Sequence, residues 1–190
     1  MNNLIQFIFP NEKYDEINNL KFEIHIKNNH MYFVEYDDTV SSIIKYAKYT
    51  HHPDSFVQIG RKIAEKISNS KIEADLITYV PMHVIDQSIR GFNQSMLLAR
   101  EISSATGISL NHNVLRKVKK TKKQASLNAV MRTTNLHCAF VADDEISAGK
   151  NIIIVDDIYT TGATLNECKD ELMDKMACSV KFLTITRKNI

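Results

Sequence analysis

Asn151-Ile-Ile-Ile-Val-Asp-Asp-Ile-Tyr-Thr-Thr-Gly-Ala-Thr164 is the stretch whose reading decides the fold. Residues 152–155 form a wholly apolar, β-branched run, the pattern of a strand buried on both faces. Asp156 and Asp157 follow at its carboxyl end. Then come Thr160, Thr161, Gly162, Ala163 and Thr164, and an amphipathic helix begins. A buried strand has no structural use for two adjacent carboxylates at its tip, because burying unpaired charge is costly. A strand-loop-helix turn of small residues instead offers backbone N–H groups and hydroxyls to an anion. The bland alternative is an ordinary strand, an Asp helix cap and a Thr-rich turn.

Outward from this stretch, the 190 residues suit one domain with a small appendage. Composition, 44% hydrophobic and 24% charged, is that of a soluble globular protein. No apolar run approaches the roughly 20 residues that span a bilayer, and residues 1–10 lack the basic start and cleavage site of a signal peptide. Cys138, Cys168 and Cys178 form no CxxC pair, so neither a disulfide framework nor a zinc knuckle is supported. A cytoplasmic setting without membrane insertion is expected.

The net charge of +2 is unevenly placed. Residues 102–142 contain no acid, yet hold Arg116, Lys117, Lys119, Lys120, Lys122, Lys123 and Arg132. Such a block must face something anionic: solvent ions, phosphates, nucleic acid or the acidic segment that follows.

The rest of the chain alternates strands and helices. Residues 21–27 and 31–36 read as a β-hairpin, with Phe22, Ile24 and Ile26 on one face, and form an appendage over residues 1–36. Residues 11–19 are polar and expected to be irregular. Asp38-Thr39 should cap a helix carrying Val40, Ile43, Ile44 and Ala47. Pro53 should open another that ends near Ser68, with His51 and His52 as exposed linker residues between them. A buried strand over 76–80, stopped by Pro81, leads into a polar loop over 82–93. A helix with Met96, Leu97, Ala99 and Ile102 follows, closed by Gly107. A short strand is expected within 108–114, a basic loop over 117–126, a helical pattern over 127–132 and a strand over 138–141. After the opening motif come a helix through Leu165, Cys168, Leu172 and Met176 and a last strand over 180–185. The order predicts an α/β fold with a mostly parallel sheet flanked by helices over residues 37–190.

In such sheets ligands bind beyond the carboxyl ends of the strands. Two polar loops leave such ends, residues 81–94 and 156–164, and would form two walls of one cleft if their strands are neighbours. The second wall would hold a phosphate monoester, with Asp156 and Asp157 taking ribose hydroxyls or acting through a divalent ion; Mg²⁺ suits a carboxylate or two plus ligand phosphates. The first wall offers Arg90-Gly91, a guanidinium beside a closely approachable backbone, which suits a second phosphate group.

Residues 152–164 resemble the phosphoribosyl-pyrophosphate (PRPP) signature of type I phosphoribosyltransferases, with Tyr159 where a small aliphatic residue is more usual. Tyr79-Val-Pro-Met-His83, Arg90-Gly-Phe-Asn-Gln-Ser95 and the later Leu115-Arg116, Thr121, Gln124, Leu127, Arg132, Asn135 and Ala139-Phe140 are similar to the competence protein ComF family, also called amidophosphoribosyltransferase-like. Residues 36–48 match that family's entry into its first helices, and the likeness covers roughly 36–187. Many members begin with a four-cysteine zinc ribbon; residues 1–36 contain no cysteine, so zinc is not carried over.

The resemblance implies that Asp156 and Asp157 contact the ribose hydroxyls of PRPP and serve Mg²⁺ through the ligand. Thr160, Thr161, Gly162, Ala163 and Thr164 would cradle the 5-phosphate, and Arg90-Gly91 would bind pyrophosphate. Arg116, Lys119, Lys120, Thr121, Lys122, Lys123 and Gln124 would form a flexible basic lid, or touch nucleic acid. Two functional classes follow. One is a protein that handles single-stranded DNA during natural transformation, with a competence helicase as the implied partner. The other is a metabolic enzyme transferring ribose 5-phosphate from PRPP to a nitrogenous acceptor. No general base stands out; His83 is placed on the first loop, where a solvated histidine is the plainer reading. Of aromatic platforms for bases, only Phe92 and Phe140 lie near the basic block.

Overall fold

The computed structural model describes residues 12–68, 70, 72–120 and 139–188. Thr121, Lys122, Lys123 and Gln124 of the expected lid, the pattern over 127–132 and Cys138 lie outside the described residues.

The described chain runs α1 (Glu12–Asn19), β1 (His25–Lys27), β2 (His30–Glu35), α2 (Asp38–Tyr49), α3 (Pro53–Ile67), β3 (Leu76–Tyr79), α4 (Val84–Arg90), α5 (Gln94–Thr106), β4 (Leu115–Lys117), β5 (Phe140–Ala142), α6 (Asp144–Ser147), β6 (Asn151–Tyr159), α7 (Ala163–Asp174) and β7 (Ser179–Arg187). Five strands form one sheet in the order β1-β2-β7-β6-β3, and β4 pairs with β5 apart from it. All pairings in the large sheet are parallel except β1 with β2. This is the expected α/β architecture with a mostly parallel sheet and an N-terminal hairpin.

The run 152–155 explains why β6 is central. Ile153 and Val155 face a core built with α2, α3 and α5, while Ile152 and Ile154 face a second core under α7. All four side chains are buried, and each contributes about 1.5–3 kcal/mol of gross burial. No amphipathic edge position could hold such a run.

Local signals set several ends. Asp37, one residue before the expected cap, accepts a 2.7 Å hydrogen bond from the Val40 amide and starts α2. Pro53 occupies the first turn of α3, as its fixed φ allows. Gly107 closes α5 in the left-handed region.

Other segments depart from expectation. Residues 12–19 are helical, and the reason is a single anchor: Ile17 is fully buried against the α2–α3 layer. The loop over 82–93 contains α4, capped by His83 and ended by Gly91 at positive φ. The short strand falls at 115–117, whereas residues 108–114 make only an isolated parallel bridge, Leu110 to Ile77. Lys117 therefore belongs to a strand. Of the three residues expected on one face of the hairpin, Phe22 is buried, whereas Ile24 and Ile26 are exposed because β1 is an edge strand. The last helix stops at Asp174 and leaves Met176 exposed at positive φ. None of the described helices is long and apolar enough to cross a membrane.

Candidate functional site

The site begins where β3 ends. The β3–β6 ladder runs from Leu76–Ile152 to Tyr79–Val155, and the Val80 amide adds one bond to the Val155 carbonyl. Pro81 stops β3, yet β6 continues to Tyr159, paired only with β7. Asp156 and Asp157 thus lie inside β6, one step beyond the end of its neighbour, rather than at the strand tip.

The N-terminus of α5 fills the gap. Asn93 caps that helix, accepting from the Ser95 and Met96 amides at 2.9 and 3.3 Å and donating to the Val80 carbonyl at 3.1 Å. Gln94 and Ser95 are thereby aimed at β6. Ser95 Oγ donates to Asp156 Oδ1 at 2.7 Å, and Gln94 Nε2 donates to Asp157 Oδ1 at 3.3 Å. The positive end of the helix dipole favours both carboxylates.

The two acids differ sharply. Asp157 continues the face of Ile153 and Val155, is buried, and forms an ion pair with Lys48 Nζ through Oδ2. Burial pushes its carboxyl upward, but the Lys48 ammonium and the hydrogen bonds it receives outweigh burial and hold it below its ordinary value. Asp156 continues the face of Ile152 and Ile154, is half-buried, and forms no ion pair among the described residues. Burial and the adjacent Asp157 charge push it up to about 7, against the Ser95 hydrogen bond. One acid is committed to the fold; the other is available.

The residues expected to form the second wall lie together. Asp156, Ile158 and residues 159–165 line a small cavity of about 40 Å³. Gly162 caps α7 at φ +77°, which favours glycine; it has no side chain to cap the helix, and the Thr161 hydroxyl accepts a long 3.4 Å bond from the Ala163 amide. First-turn amides are the donors that a phosphate satisfies. The first wall meets it through one chain of contacts: Arg90 Nη1 donates to Gln94 Oε1 at 2.7 Å, and Gln94 donates to Asp157. His51 Nδ1 donates to the Arg90 carbonyl at 2.9 Å and Tyr49 lies under the guanidinium, so the α2–α3 corner supports this wall.

Lys48, Gln94 and Ser95 are the site residues that sequence reasoning left without roles. For Lys48 a signal existed: it stands one turn after Ile44, on the inward stripe of Val40, Ile44 and Ala47. A lysine on an apolar stripe needs a carboxylate. His83 Nδ1 accepts from the Ile85 amide at 3.3 Å, so this histidine is used as a helix cap. Phe140 is buried and Phe92 packs against Phe56, so neither offers a free face to a base.

Of the lid residues within the described chain, Arg116 is exposed on β4, and Lys119 and Lys120 follow that strand. Lys117 is partly buried over the Phe140 ring, and burial lowers its pKa. No group of three or more His, Cys, Asp or Glu side chains able to hold a metal occurs among the described residues.

Comparison with known proteins places residues 45–190 in the phosphoribosyl transferase domain family. The DNA utilization protein YhgH of Salmonella typhi is 27% identical over 158 residues, covering 80% of this chain and 69% of that protein. Competence protein ComFC of Bacillus subtilis is 34% identical over 125 residues, covering 62% of this chain and 48% of its own length. Adenine phosphoribosyl transferase from Trypanosoma brucei, solved with AMP, pyrophosphate and ribose 5-phosphate, is 10% identical, with a TM-score of 0.49 over 87% of this chain and 86% of that one.

Proposed function

Because the chain belongs to the phosphoribosyl transferase family, with competence proteins of the ComF group among its relatives, we propose that it binds PRPP with Mg²⁺ and acts on single-stranded DNA during uptake. The observation that carries the reading is the convergence of the two walls on the adjacent acids: Asp156 lines the cavity at the α7 N-terminus, and Arg90 is joined through Gln94 to Asp157. A phosphate monoester at residues 160–164 and a pyrophosphate at Arg90-Gly91 would leave the ribose between them, beside Asp156.

The donor set fits a metal that arrives with its ligand. Asp157 is already neutralised by Lys48, which leaves Asp156 as the open carboxylate. One carboxylate plus ligand oxygens and water is a normal Mg²⁺ environment, and too little to hold the bare ion tightly. When bound, Mg²⁺ would neutralise charge on the pyrophosphate. This chain's own residues would orient the ribose through Asp156 and hold the leaving phosphates at Arg90.

The DNA reading rests on the acid-free basic block and on the competence relatives. Calorimetry tests the ligand: wild type binds PRPP with Mg²⁺, and the D156A/D157A double variant does not. Absence of binding by wild type at millimolar PRPP would end this reading. For DNA, replacing Lys119, Lys120, Lys122 and Lys123 by Ala should weaken single-strand affinity and flatten its salt dependence. An unchanged slope removes the block from the proposal. A second reading, transfer of ribose 5-phosphate to a nitrogenous acceptor, is favoured by the link of Arg90 through Gln94 to the acid beside Asp156. Pyrophosphate release in the presence of ammonia or a free base would establish it.

A further inference from the structure

The tyrosine that departs from the motif belongs to a cluster that the site has not used. Tyr159 is the last residue of β6, directly before the phosphate loop. A Cβ on Gly162 would lie 2.2 Å from the Tyr159 hydroxyl oxygen and 2.5 Å from Cζ, so the phenol edge fills the space beside this left-handed glycine. On its ring sits the Arg187 guanidinium, 4.2 Å from the centroid, and His30 stacks on it at 4.6 Å. Backbone pairing between Tyr159 and Arg187, with a 2.8 Å bond from the Lys188 amide to the Tyr159 carbonyl, fixes the two side chains together.

The hydrogen bonds assign the tautomer. A guanidinium can only donate, so His30 Nδ1 accepts from Arg187 Nη1 at 2.9 Å. His30 Nε2 therefore carries the proton and donates to Thr184 Oγ1 at 2.8 Å, and the Thr184 hydroxyl donates to the Thr186 carbonyl at 2.9 Å. His30 is buried, and burial with the Arg187 charge pushes its pKa down to about 4, so it stays neutral. Arg187 is thus held by two neutral rings, and among the described residues no carboxylate pairs with it. A half-buried cation with only neutral partners among the described residues, on the ring of the residue that precedes the 160–164 loop, lacks its counter-charge.

We propose that Arg187, seated on Tyr159 and oriented by His30, supplies the positive charge of the phosphate-monoester site at residues 160–164. This rests on the reading of that loop as the ribose 5-phosphate site. The loop itself offers amides and hydroxyls but no cation, and Arg187 gives it one. His30 is then a positioning residue, and it joins the N-terminal hairpin to ligand binding.

Calorimetric titration with ribose 5-phosphate and, separately, Mg²⁺-pyrophosphate tests the proposal on wild type, R187Q, R187K and H30A. We expect R187Q to lose roughly tenfold in ribose 5-phosphate affinity at low salt, the scale of one partly screened charge. The loss should shrink as salt rises, and R187K should recover most of it, with pyrophosphate affinity unchanged throughout. H30A should fall between wild type and R187Q. If R187K is no better than R187Q, the loss comes from packing and the charge role is overturned. Equal binding by R187Q and wild type overturns it too. Failure of wild type to bind ribose 5-phosphate or PRPP at all instead overturns the underlying reading of the loop.

Discussion

Replacing Asp156 by Asn should stabilise the ligand-free protein while abolishing PRPP binding. The carboxyl is raised from its ordinary 3.8 to about 7 by burial and by the Asp157 charge. Between those two pH values the native state holds a proton that the unfolded chain has released. Stability from this group therefore falls as pH rises from about 4 to about 7, and stays low above that. At about 1.4 kcal/mol per pH unit, the full shift corresponds to about 4 kcal/mol. Asp156 is not fully buried, so solvent screening reduces the expected effect to about 1–2 kcal/mol. Asn is isosteric and still accepts from Ser95 Oγ. Urea denaturation of wild type and D156N at pH 5.5 and pH 8 measures this directly. D156N should be more stable than wild type at pH 8, and the gap should narrow to about half at pH 5.5. A variant less stable at pH 8, or an unchanged pH slope, would refute the account of Asp156 as a carboxylate held against its environment for ligand binding.

Other substitutions test the supporting shell. Lys48→Met should cost about 3 kcal/mol or more, since it leaves the Asp157 charge buried without its partner; K48M/D157N should recover much of that loss in a double-mutant cycle read by denaturation midpoint. The depressed Asp157 carboxyl contributes with the opposite sign to Asp156: its stabilisation is present above 3.8 and lost as pH falls through its lower folded value, so K48M should flatten the acid limb of the stability profile. Asn93→Ala should cost about 1 kcal/mol through loss of the α5 cap, and should weaken PRPP because Gln94 and Ser95 lose their aim. Gly162→Ala meets both a positive φ and the Tyr159 ring. Ribose 5-phosphate affinity should drop sharply by calorimetry, and adding Tyr159→Ala should restore only part of it.

How much of this was legible in the sequence depends on distance along the chain. The run 152–155 and the loop after it carry local signals: a β-branched stretch, a left-handed glycine and hydroxyls at a helix start. These gave β6, α7 and the loop between them directly. α4 was hidden because none of its side chains is buried, so it has no apolar period to read. α1 was hidden because one isoleucine, Ile17, anchors it, and one position makes no period. β4 owes its place to β5, more than twenty residues away, and not to its own three residues. The same rule holds in the site. Asp156 and Asp157 are neighbours in sequence and look equivalent, and alternation of strand faces makes them different. Only the fold brings Lys48 from 109 residues away to one acid and not to the other.

That asymmetry has a consequence for how the two walls communicate. Asp157 receives Lys48 on one oxygen and Gln94 on the other, so its acceptor capacity in the free protein is largely used. Gln94 in turn takes up Arg90 through its carbonyl oxygen. A pyrophosphate drawn to Arg90 would exchange this neutral acceptor for a charged one, a stronger bond for the guanidinium. Gln94 would then be released from Arg90 and free to turn, and Asp157 would lose or reorient one donor beside the ribose. Ligand at the first wall thereby changes the acid that supports the second, and linkage requires the converse. We expect Mg²⁺-pyrophosphate and ribose 5-phosphate to alter each other's affinity in wild type beyond simple charge repulsion. In Gln94→Leu the relay is cut and that excess coupling should vanish, measured as the difference between titrations with and without the second ligand. Equal coupling in both proteins would show that the two phosphates sense each other only through space, and that Gln94 merely fills the gap beyond β3.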